Sequence, residues 1–405
     1  MRFLIFALKN IARNRRRSAT ILAMIALGSA ALLVAGGYAA ATFRGLREGT
    51  IANGLGHLQI GGPGFREEEE RPLSSGLEDP EAARGLVLAD SRVRAAAARI
   101  EFNGLVSNGE RSVVFLGRGI EPEQEFTAAG FDLSMRKGRQ LAGAADDEVV
   151  VAIGLARALH VEPGDRLTIL STTVDGALNG ADVRVVGTYT TGIREMDDRA
   201  LIVSLSTAQA ILNTTKVSKL IVVLNETADT PGVQESLTAR FTAAGHRVEL
   251  ANWSDLASFY HQVRGLYSGI FMFLGLIIVG LVVLSSGNAM SMTVMERIKE
   301  IGTLMAVGTS RPLVMLMFVT EGIGLGLLGG ALGALFGYGL AAFLNAAHVM
   351  MPPPPTFTTG FRLVIDVVPA LFVAVPLLMT ITLFFASLLP AAKAARLRIT
   401  DALGH

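Results

Sequence analysis

The sequence has 405 residues, of which 51% are hydrophobic and only 18% are charged, whereas an ordinary soluble domain carries about 25% charged residues and no such apolar excess. Residues 44–264 hold 23 basic and 30 acidic side chains, and the rest of the chain holds 13 and 5. This composition argues against a purely soluble protein and against a nucleic-acid binder, which needs a basic patch, and the lack of cysteine excludes disulfides and thiol chemistry.

Four apolar stretches are long enough to cross a membrane as helices. A span needs about 20 mostly apolar residues, and buried core helices of a soluble enzyme do not account for four such stretches. They occupy residues 18–43, 265–295, 312–344 and 367–392. The sequence therefore predicts a polytopic α-helical membrane protein with four transmembrane helices and a large domain at 44–264, between the first and second.

The basic residues that flank these stretches predict the orientation. Thirteen basic residues lie before residue 44 or after residue 264. Twelve of them fall on one side of a four-span topology, and only Arg362 falls on the other. Because Lys and Arg are enriched in cytoplasmic loops, both termini and the loop 296–311 are expected in the cytoplasm. The loop 345–366 and the domain 44–264 are then expected outside.

The first 17 residues combine apolar side chains with basic ones and are predicted to form an amphipathic helix at the membrane surface. The apolar set is Phe3, Leu4, Phe6, Leu8 and Ile11, and the basic set is Arg2, Lys9 and Arg13. The apolar run that follows is too long for the core of a cleaved signal peptide, which has about 7–15 residues. An uncleaved anchor is therefore favoured. The tail at 393–405 is expected to be cytoplasmic.

The outside domain is predicted to be mixed α/β. Apolar runs bounded by turn residues predict strands, and these lie at 57–60, 112–117, 148–153, 166–170, 183–189, 200–204, 219–224 and 246–250. Helices are predicted at 91–100, which is rich in Ala and Arg, and at 155–159 and 233–244. Acidic clusters at 146–148 and 197–198 lack the histidines or glycine-bearing loop of a metal site, so solvated surface is favoured and no metal is expected.

A glycine-rich run within the third span matches the GxGxxG fingerprint of dinucleotide-binding proteins. That motif functions only between a strand and a helix, and here it lies inside a membrane span. Glycines four residues apart instead predict close helix packing in lipid. Two such stripes are present, Gly322, Gly326 and Gly330 in one and Gly329, Gly333 and Gly337 in the other.

Glu321 is the one acidic residue of the third span. It follows Arg311 by about ten residues, which is roughly 15 Å along a helix. A carboxylate at such a depth is costly unless it is paired, so a partner or a water path is expected. The alternative is an interfacial glutamate that reaches water.

The loop 296–311 is predicted to contain a short helix that ends at Gly302 or Gly308. Glu296 and Glu300 are four residues apart and share a helical face. A capped turn at the membrane surface is the simpler alternative.

This loop and the spans after it resemble a known family. ERIKEIGTLMAVGTSR, VTEGIGLGLLGGALGALFG and the closing LLPAAKAARLRITDAL are similar to the permease domain of FtsX type, found in ABC transporters of the lipoprotein-releasing and macrolide-efflux kind. ALKNIARNRRRSATI resembles the start of that family's elbow helix. GHLQI, VVVAIGLARALHVEPGDRLTI and VRVVGTYTTGIREMDD resemble its MacB-like periplasmic domain, and the last resembles the lipoprotein-releasing branch.

The resemblance implies an architecture and a set of site residues. The periplasmic domain would have a porter-like part at 44–140 and 218–264 and an inserted subdomain at 141–217. Residues of the loop would contact and couple to an ATPase, namely Glu296, Arg297, Glu300, Ile301 and Gly302. The family has an acidic residue near the start of its third span, and Glu321 would correspond to it.

The resemblance also implies the partners. No GxxxxGK[ST] phosphate loop is present, so ATP and Mg²⁺ are expected on a partner ATPase dimer, with no cofactor bound by this chain. A second permease copy or a paralogue, a lipid or lipoprotein substrate, a periplasmic partner protein and a place in the bacterial inner membrane are further expectations.

Three functions remain open from the sequence. The first is a permease that uses ATP hydrolysis to extract or move a lipid or lipoprotein. The second is a mechanotransmitting regulator that activates a periplasmic partner without transport. The third is an intramembrane enzyme using Glu321, which lacks a second catalytic group at similar depth.

Overall fold

The computed structural model describes residues 15–66, 73, 76–131, 133–143, 147–352 and 360–396. The chain forms two compact units. The membrane unit comprises Met1–Arg44, Gln262–Met351 and Arg362–His405, and the α/β unit comprises Gly45–His261 and Pro352–Phe361. The predicted surface helix at 1–17 lies outside the described residues except for its last three positions, and so does the tail from 397 onward.

The helices of the described residues are α1 (Arg15–Thr50), α2 (Pro80–Leu88), α3 (Ile153–Leu159), α4 (Arg194–Asp197), α5 (Leu205–Leu212), α6 (Thr230–Ala243), α7 (Trp253–Leu256), α8 (Ser258–Glu296), α9 (Ile298–Ala306), α10 (Arg311–Ala346) and α11 (Pro369–Ala395). Four of them are long and apolar enough to cross a membrane, namely α1, α8, α10 and α11. The predicted spans fall within these four helices. The predicted fold class, four membrane helices with an α/β domain between the first and second, is confirmed.

The strands are β1 (Leu58–Gly61), β2 (Val93–Ser107), β3 (Ser112–Ile120), β4 (Ser134–Gly138), β5 (Glu148–Ala152), β6 (Arg166–Thr172), β7 (Leu178–Thr190), β8 (Ala200–Ser204), β9 (Lys219–Leu224), β10 (Glu249–Asn252), β11 (Met350–Met351) and β12 (Phe361–Arg362). All eight predicted strands are present, although the last begins only at Glu249. The helices predicted at 155–159 and 233–244 are present as α3 and α6.

Ten of these strands form one sheet in the α/β unit, in the order β10-β1-β9-β2-β3-β8-β5-β7-β4, with β6 pairing with both β2 and β7. The pairings β2–β3, β3–β8, β8–β5, β5–β7, β7–β6 and β6–β2 close a six-stranded ring. The long strand β2 makes this closure possible, because its first half pairs with β9 and its last three residues pair with β6.

The helix predicted at 91–100 is wrong, because these residues enter β2. The alanines of the segment favour a helix by intrinsic propensity, but pairing with β9 and β3 overrides that preference. Both faces of the strand are covered: Ala96 and Ala98 lie in the main core, and Ala95 packs with Phe131 and Ile221 on the other face. The alanine run between Arg94 and Arg99 is buried on both faces, so it lacks the apolar–polar alternation of a half-buried strand.

The predicted division of the outside domain into a porter-like part and an inserted subdomain stays a prediction. The strands of both parts share the ten-stranded sheet, since β2 and β3 belong to the first part and β5, β6, β7 and β8 to the second. Strand β4, which the prediction places in the first part, pairs with β7 of the second.

The membrane unit has two apolar clusters. In the first, Ile21 and Ile25 of α1 pack with Val282 of α8, Leu325 of α10 and Leu383 of α11. The second lies where α8 and α11 end and α10 begins, and it includes α9; its members are Val294, Ile301, Val314, Phe318, Val319, Ala391 and Ala394. Helix α9 is therefore packed against the spans as part of this unit.

Candidate coupling site in the membrane unit

Helix α9 is the short helix predicted for the loop, and local sequence sets its ends. It stops at Ala306, and Gly308 then takes φ of +102°, in the left-handed region that favours glycine. Helix α10 begins at Arg311 with a proline in its first turn, where the missing N–H costs nothing. Only Arg297 separates α9 from the end of α8.

Arg297 connects this junction to the third span. Its Nε donates to Glu300 Oε2 at 2.8 Å, and its Nη1 lies 3.4 Å from Glu321 Oε2. The guanidinium carbon also lies 5.7 Å from the centre of the Phe318 ring, within the range of a cation–π contact. Arg297 therefore contacts one residue of α9 and two of α10.

Glu321 has the partner that its depth in the span requires. Its side chain is 12% exposed and that of Arg297 is 14% exposed, so both charges are largely withdrawn from water. A crevice of about 20 Å³ lies beside Glu321, lined in part by Ser18 and Thr293, and such a volume has room for about one water molecule.

The five loop residues named for coupling do not share one surface. Ile301 is 3% exposed and packs inside the chain against α10 and α11, and Gly302 is also buried. Ile301 therefore holds α9 in place and is not available to a docking partner. The coupling role of the five residues stays a prediction, and for Ile301 it would act through this packing.

The outer face of α9 carries a different set of side chains. Lys299 and Thr303 are exposed there, and Glu296 is exposed at the adjacent end of α8. Two apolar residues flank them, Met295 at 68% exposure and Val307 at 84%. This mixture of exposed apolar and charged groups is the surface that a partner chain can reach.

The two glycine stripes of α10 face different helices. Gly322, Gly326 and Gly330 face α11, and a Cβ built on Gly326 would lie 2.7 Å from Thr380 Cα. Gly329, Gly333 and Gly337 face α1, and a Cβ on Gly329 would lie 2.7 Å from Ile25 Cβ. Real Cβ atoms do not approach so closely, so the backbones meet at these points only because the residues are glycine.

The GxGxxG match at 324–329 lies in the interior of α10, so it has no preceding strand and opens no helix. The described residues contain no group of three or more acidic or histidine side chains that could hold a metal ion. The contacts that the described residues make at this site are an ion pair and close helix packing.

Sequence reasoning missed the contact between Arg297 and Glu321. The two residues are 24 positions apart and lie on separate helices, so no helical periodicity relates them. The signal that could have found the pair is the scarcity of charge: Glu321 is the one acidic residue of its span, and Arg297 is one of three basic residues in the adjacent loop.

The folded chain is a multi-pass membrane protein with a periplasmic-type α/β domain, and comparison with known proteins gives its family. A model described as the MacB-like periplasmic core domain matches residues 18–240, and one described as FtsX-like permease C-terminal matches residues 270–399. The chain belongs to this family of MacB-like and FtsX-like permeases, which confirms the resemblance seen in the sequence.

Two relatives align with this chain over different fractions of their own length. The macrolide export ATP-binding/permease protein MacB of Rhodopseudomonas palustris is 25% identical over 66% of this chain and 42% of its own length. The lipoprotein-releasing system transmembrane protein LolC of Xylella fastidiosa is 24% identical over 81% of this chain and 82% of its own. The chain spans less than half the length of the MacB relative.

Among solved structures, the periplasmic region of MacB from Actinobacillus actinomycetemcomitans is 16% identical, with a TM-score of 0.39 over 52% of this chain and 95% of that one. The family models and the relatives, rather than this structure, identify the chain as a multi-pass ABC transporter permease of the MacB and LolC type.

Proposed function

We propose that this chain is the permease subunit of a transporter in which a separate ATPase chain drives movement of the periplasmic-type domain to extract or move a lipid or lipoprotein. The observation that carries the proposal is the attachment of α9 to the third span. Arg297 and Ile301 bind it to α10 through an ion pair and an apolar contact. A partner that pulls on α9 therefore also pulls on α10.

The packing of the membrane unit supports transmission beyond α10. Close glycine contacts join α10 to α1 on one face and to α11 on the other. Closely packed helices move as units because a dense interior has few alternative arrangements. The chain then enters the α/β unit within α1 and leaves it within α8, so both connections are helical.

The proposed orientation places α9 in the cytoplasm and the α/β unit outside. The absence of cysteine allows a direct test with single introduced cysteines. One variant is Ser310→Cys, at the start of α10, where the serine side chain makes no capping hydrogen bond. The other is Asp175→Cys, in an exposed turn of the α/β unit. With an impermeant maleimide on spheroplasts, we expect labelling at 175 and none at 310 until the cells are lysed, because positive loops stay inside.

Labelling of 310 without lysis, with 175 protected, would reverse the topology and remove α9 from the reach of a cytoplasmic ATPase. A Cys-free wild-type sample is the background control in both conditions.

The proposed docking surface is the outer face of α9. Val307→Asp should lower co-purification of the ATPase at least about tenfold, because a carboxylate placed in an apolar contact loses its hydration without gaining a partner. Val174→Asp is the matched control, since Val174 is 50% exposed in the α/β unit. Equal recovery of the ATPase with both variants would show that this face of α9 does not dock.

A lipid or lipoprotein is the proposed substrate because the similarity to the lipoprotein-releasing relative extends over 82% of that relative's length, against 42% for the macrolide exporter. A second permease copy or paralogue would complete the transport path. Helix α8 supports this, since most of its apolar side chains, Phe273 and Leu276 among them, are exposed in the single chain.

A further inference from the structure

The α/β unit contains a cavity that the coupling mechanism does not use. It has a volume of about 320 Å³, within the range of small-ligand sites, which is about 300–1,000 Å³. One side is formed by residues of the sheet, including Arg99, Arg118 and Tyr189. The other sides are formed by the helical turn Glu123–Ala128 and by the loop before α4.

One of the two arginines in the cavity is already neutralised. Arg99 donates to both carboxylate oxygens of Glu125, at 2.6 Å and 2.8 Å from its Nη2, and its Nη1 donates to the carbonyl of Gly54. Both side chains of the pair are 4% exposed. A buried pair satisfied in this way contributes no net charge to the cavity.

Arg118 is the second arginine and is half-buried. Within the described residues, no carboxylate lies at ion-pair distance from it. Its cross-strand neighbour Glu101 pairs with Lys219 instead, at 2.9 Å. The guanidinium groups of Arg99 and Arg118 converge, because a Cβ built on Gly54 would lie 3.3 Å from one and 3.4 Å from the other. Among the described residues, Arg118 therefore has no direct ion-pair partner, and the carboxylates of Glu101 and Asp197 act on this region only at longer range.

Tyr189 adds a hydrogen-bond donor to the same cavity. Its side chain is 3% exposed, and in the described part of the chain its hydroxyl makes no hydrogen bond. Burial raises the pKa of Tyr189 to about 12, so the phenol stays protonated at physiological pH and can donate. Buried hydroxyls are normally hydrogen-bonded, and an acceptor in the cavity would meet this requirement.

Large apolar side chains also line the cavity, beside the hydroxyl-bearing Ser134, Thr190 and Thr191. The apolar residues are Phe126, Phe131, Leu133, Met196 and Ile202, among others. A ligand that matches these groups has a compact anion at one end and an aliphatic or aromatic group at the other.

We propose that this cavity binds an anionic amphiphile, with its phosphate or carboxylate on Arg118 and Tyr189 and its apolar group against Phe126, Phe131 and Met196. The site is independent of the ATPase coupling proposed above, since all of its residues belong to the α/β unit. Its ligand is a molecule with the chemistry of a short acidic lipid.

The test is calorimetric titration of the full chain in nanodiscs of zwitterionic phosphatidylcholine, with empty nanodiscs as the blank. Hexyl phosphate supplies both halves of the ligand, inorganic phosphate supplies only the anion, and hexanol supplies only the apolar group. We expect hexyl phosphate to bind at least about tenfold more tightly than either, since a charged hydrogen bond and buried methylenes both contribute.

Arg118→Met should weaken hexyl phosphate binding about tenfold or more, and Tyr189→Phe should weaken it by a smaller factor. Arg166→Met is the matched control, because Arg166 is exposed on β6 and outside the cavity, and it should bind as the wild type does. Folding of each variant is checked by circular dichroism. If Arg118→Met does not fold, the weaker binding expected for Tyr189→Phe tests the proposal.

Three results would overturn the proposal. Equal binding of inorganic phosphate would indicate a site for a free anion, equal binding of hexanol would indicate a purely apolar pocket, and unchanged binding by both folded variants would place the ligand elsewhere.

Discussion

Replacing Gly333 with leucine is expected to separate α10 from α1 and to destabilise the membrane unit. A Cβ at this position would overlap Ser29 Cβ and would lie 2.7 Å from the carbonyl oxygen of Ala26. The obstacles are backbone and short side-chain atoms, which cannot rotate away as the end of a long side chain can. Overpacking of this kind costs about 1–3 kcal/mol and occasionally more, and helix association in lipid depends on such close contact.

The measurement is thermal unfolding in a mild detergent, followed through the loss of helical circular dichroism. Gly333→Leu should lower the midpoint by at least about 5 °C. Gly339→Leu is the matched control on the same helix, since no atom lies within 4 Å of a Cβ built there, and it should leave the midpoint unchanged. Equal midpoints for the two variants would mean that α1 and α10 do not need the close approach.

The second large effect is expected from the pair formed by Arg297 and Glu321. Arg297→Met retains the length of the side chain and removes its charge, and Glu321→Gln retains the shape of the acid. Each should lower stability by about 1.5–3 kcal/mol, the range for hydrogen bonds to charged groups. The two effects should not add in the double variant, because residues in contact show coupling.

The cycle is measured as shifts of the unfolding midpoint in detergent. Arg311→Met serves as the control, since it removes an exposed positive charge from the start of α10. A double variant whose loss equals the sum of the single losses would show that Arg297 and Glu321 act independently, and α9 would then be held only by Ile301 and its neighbours.

Much of the fold could be predicted because its signals are local. The length of each apolar stretch predicts a membrane helix, and the glycine after Val307 predicts where α9 stops. Strands rich in Val, Ile and Leu could be found as apolar runs bounded by turn residues. The start of β2 could not, because its run of four alanines favours a helix by propensity, and Ala95 and Ala96 are buried on opposite faces of the strand.

The candidate site was less predictable because its contacts join distant parts of the chain. Glycine spacing predicts a packing face, but whether Gly329 or Gly330 meets α1 depends on the tertiary arrangement. An amphipathic pattern shows that Ile301 is on an apolar face, yet it does not tell the chain's own core from a partner's groove. Likewise, the strand register places Glu101 opposite Arg118, but only the tertiary structure shows that Glu101 forms its ion pair with Lys219.

The central claim is that α9 transmits the work of an ATPase through Arg297 to the third span. The most direct test is the number of lipoprotein molecules released per ATP hydrolysed in proteoliposomes that contain the permease and its ATPase. Arg297→Met should still recruit the ATPase, because the outer face of α9 is unchanged, but release per ATP should fall about tenfold, while Arg311→Met should match the wild type. If Arg297→Met releases as much lipoprotein per ATP as the wild type does, the ion pair with Glu321 is not part of the coupling path. If the wild type hydrolyses ATP and releases none, the chain acts as a regulator of a periplasmic partner and not as a transporter of lipoproteins.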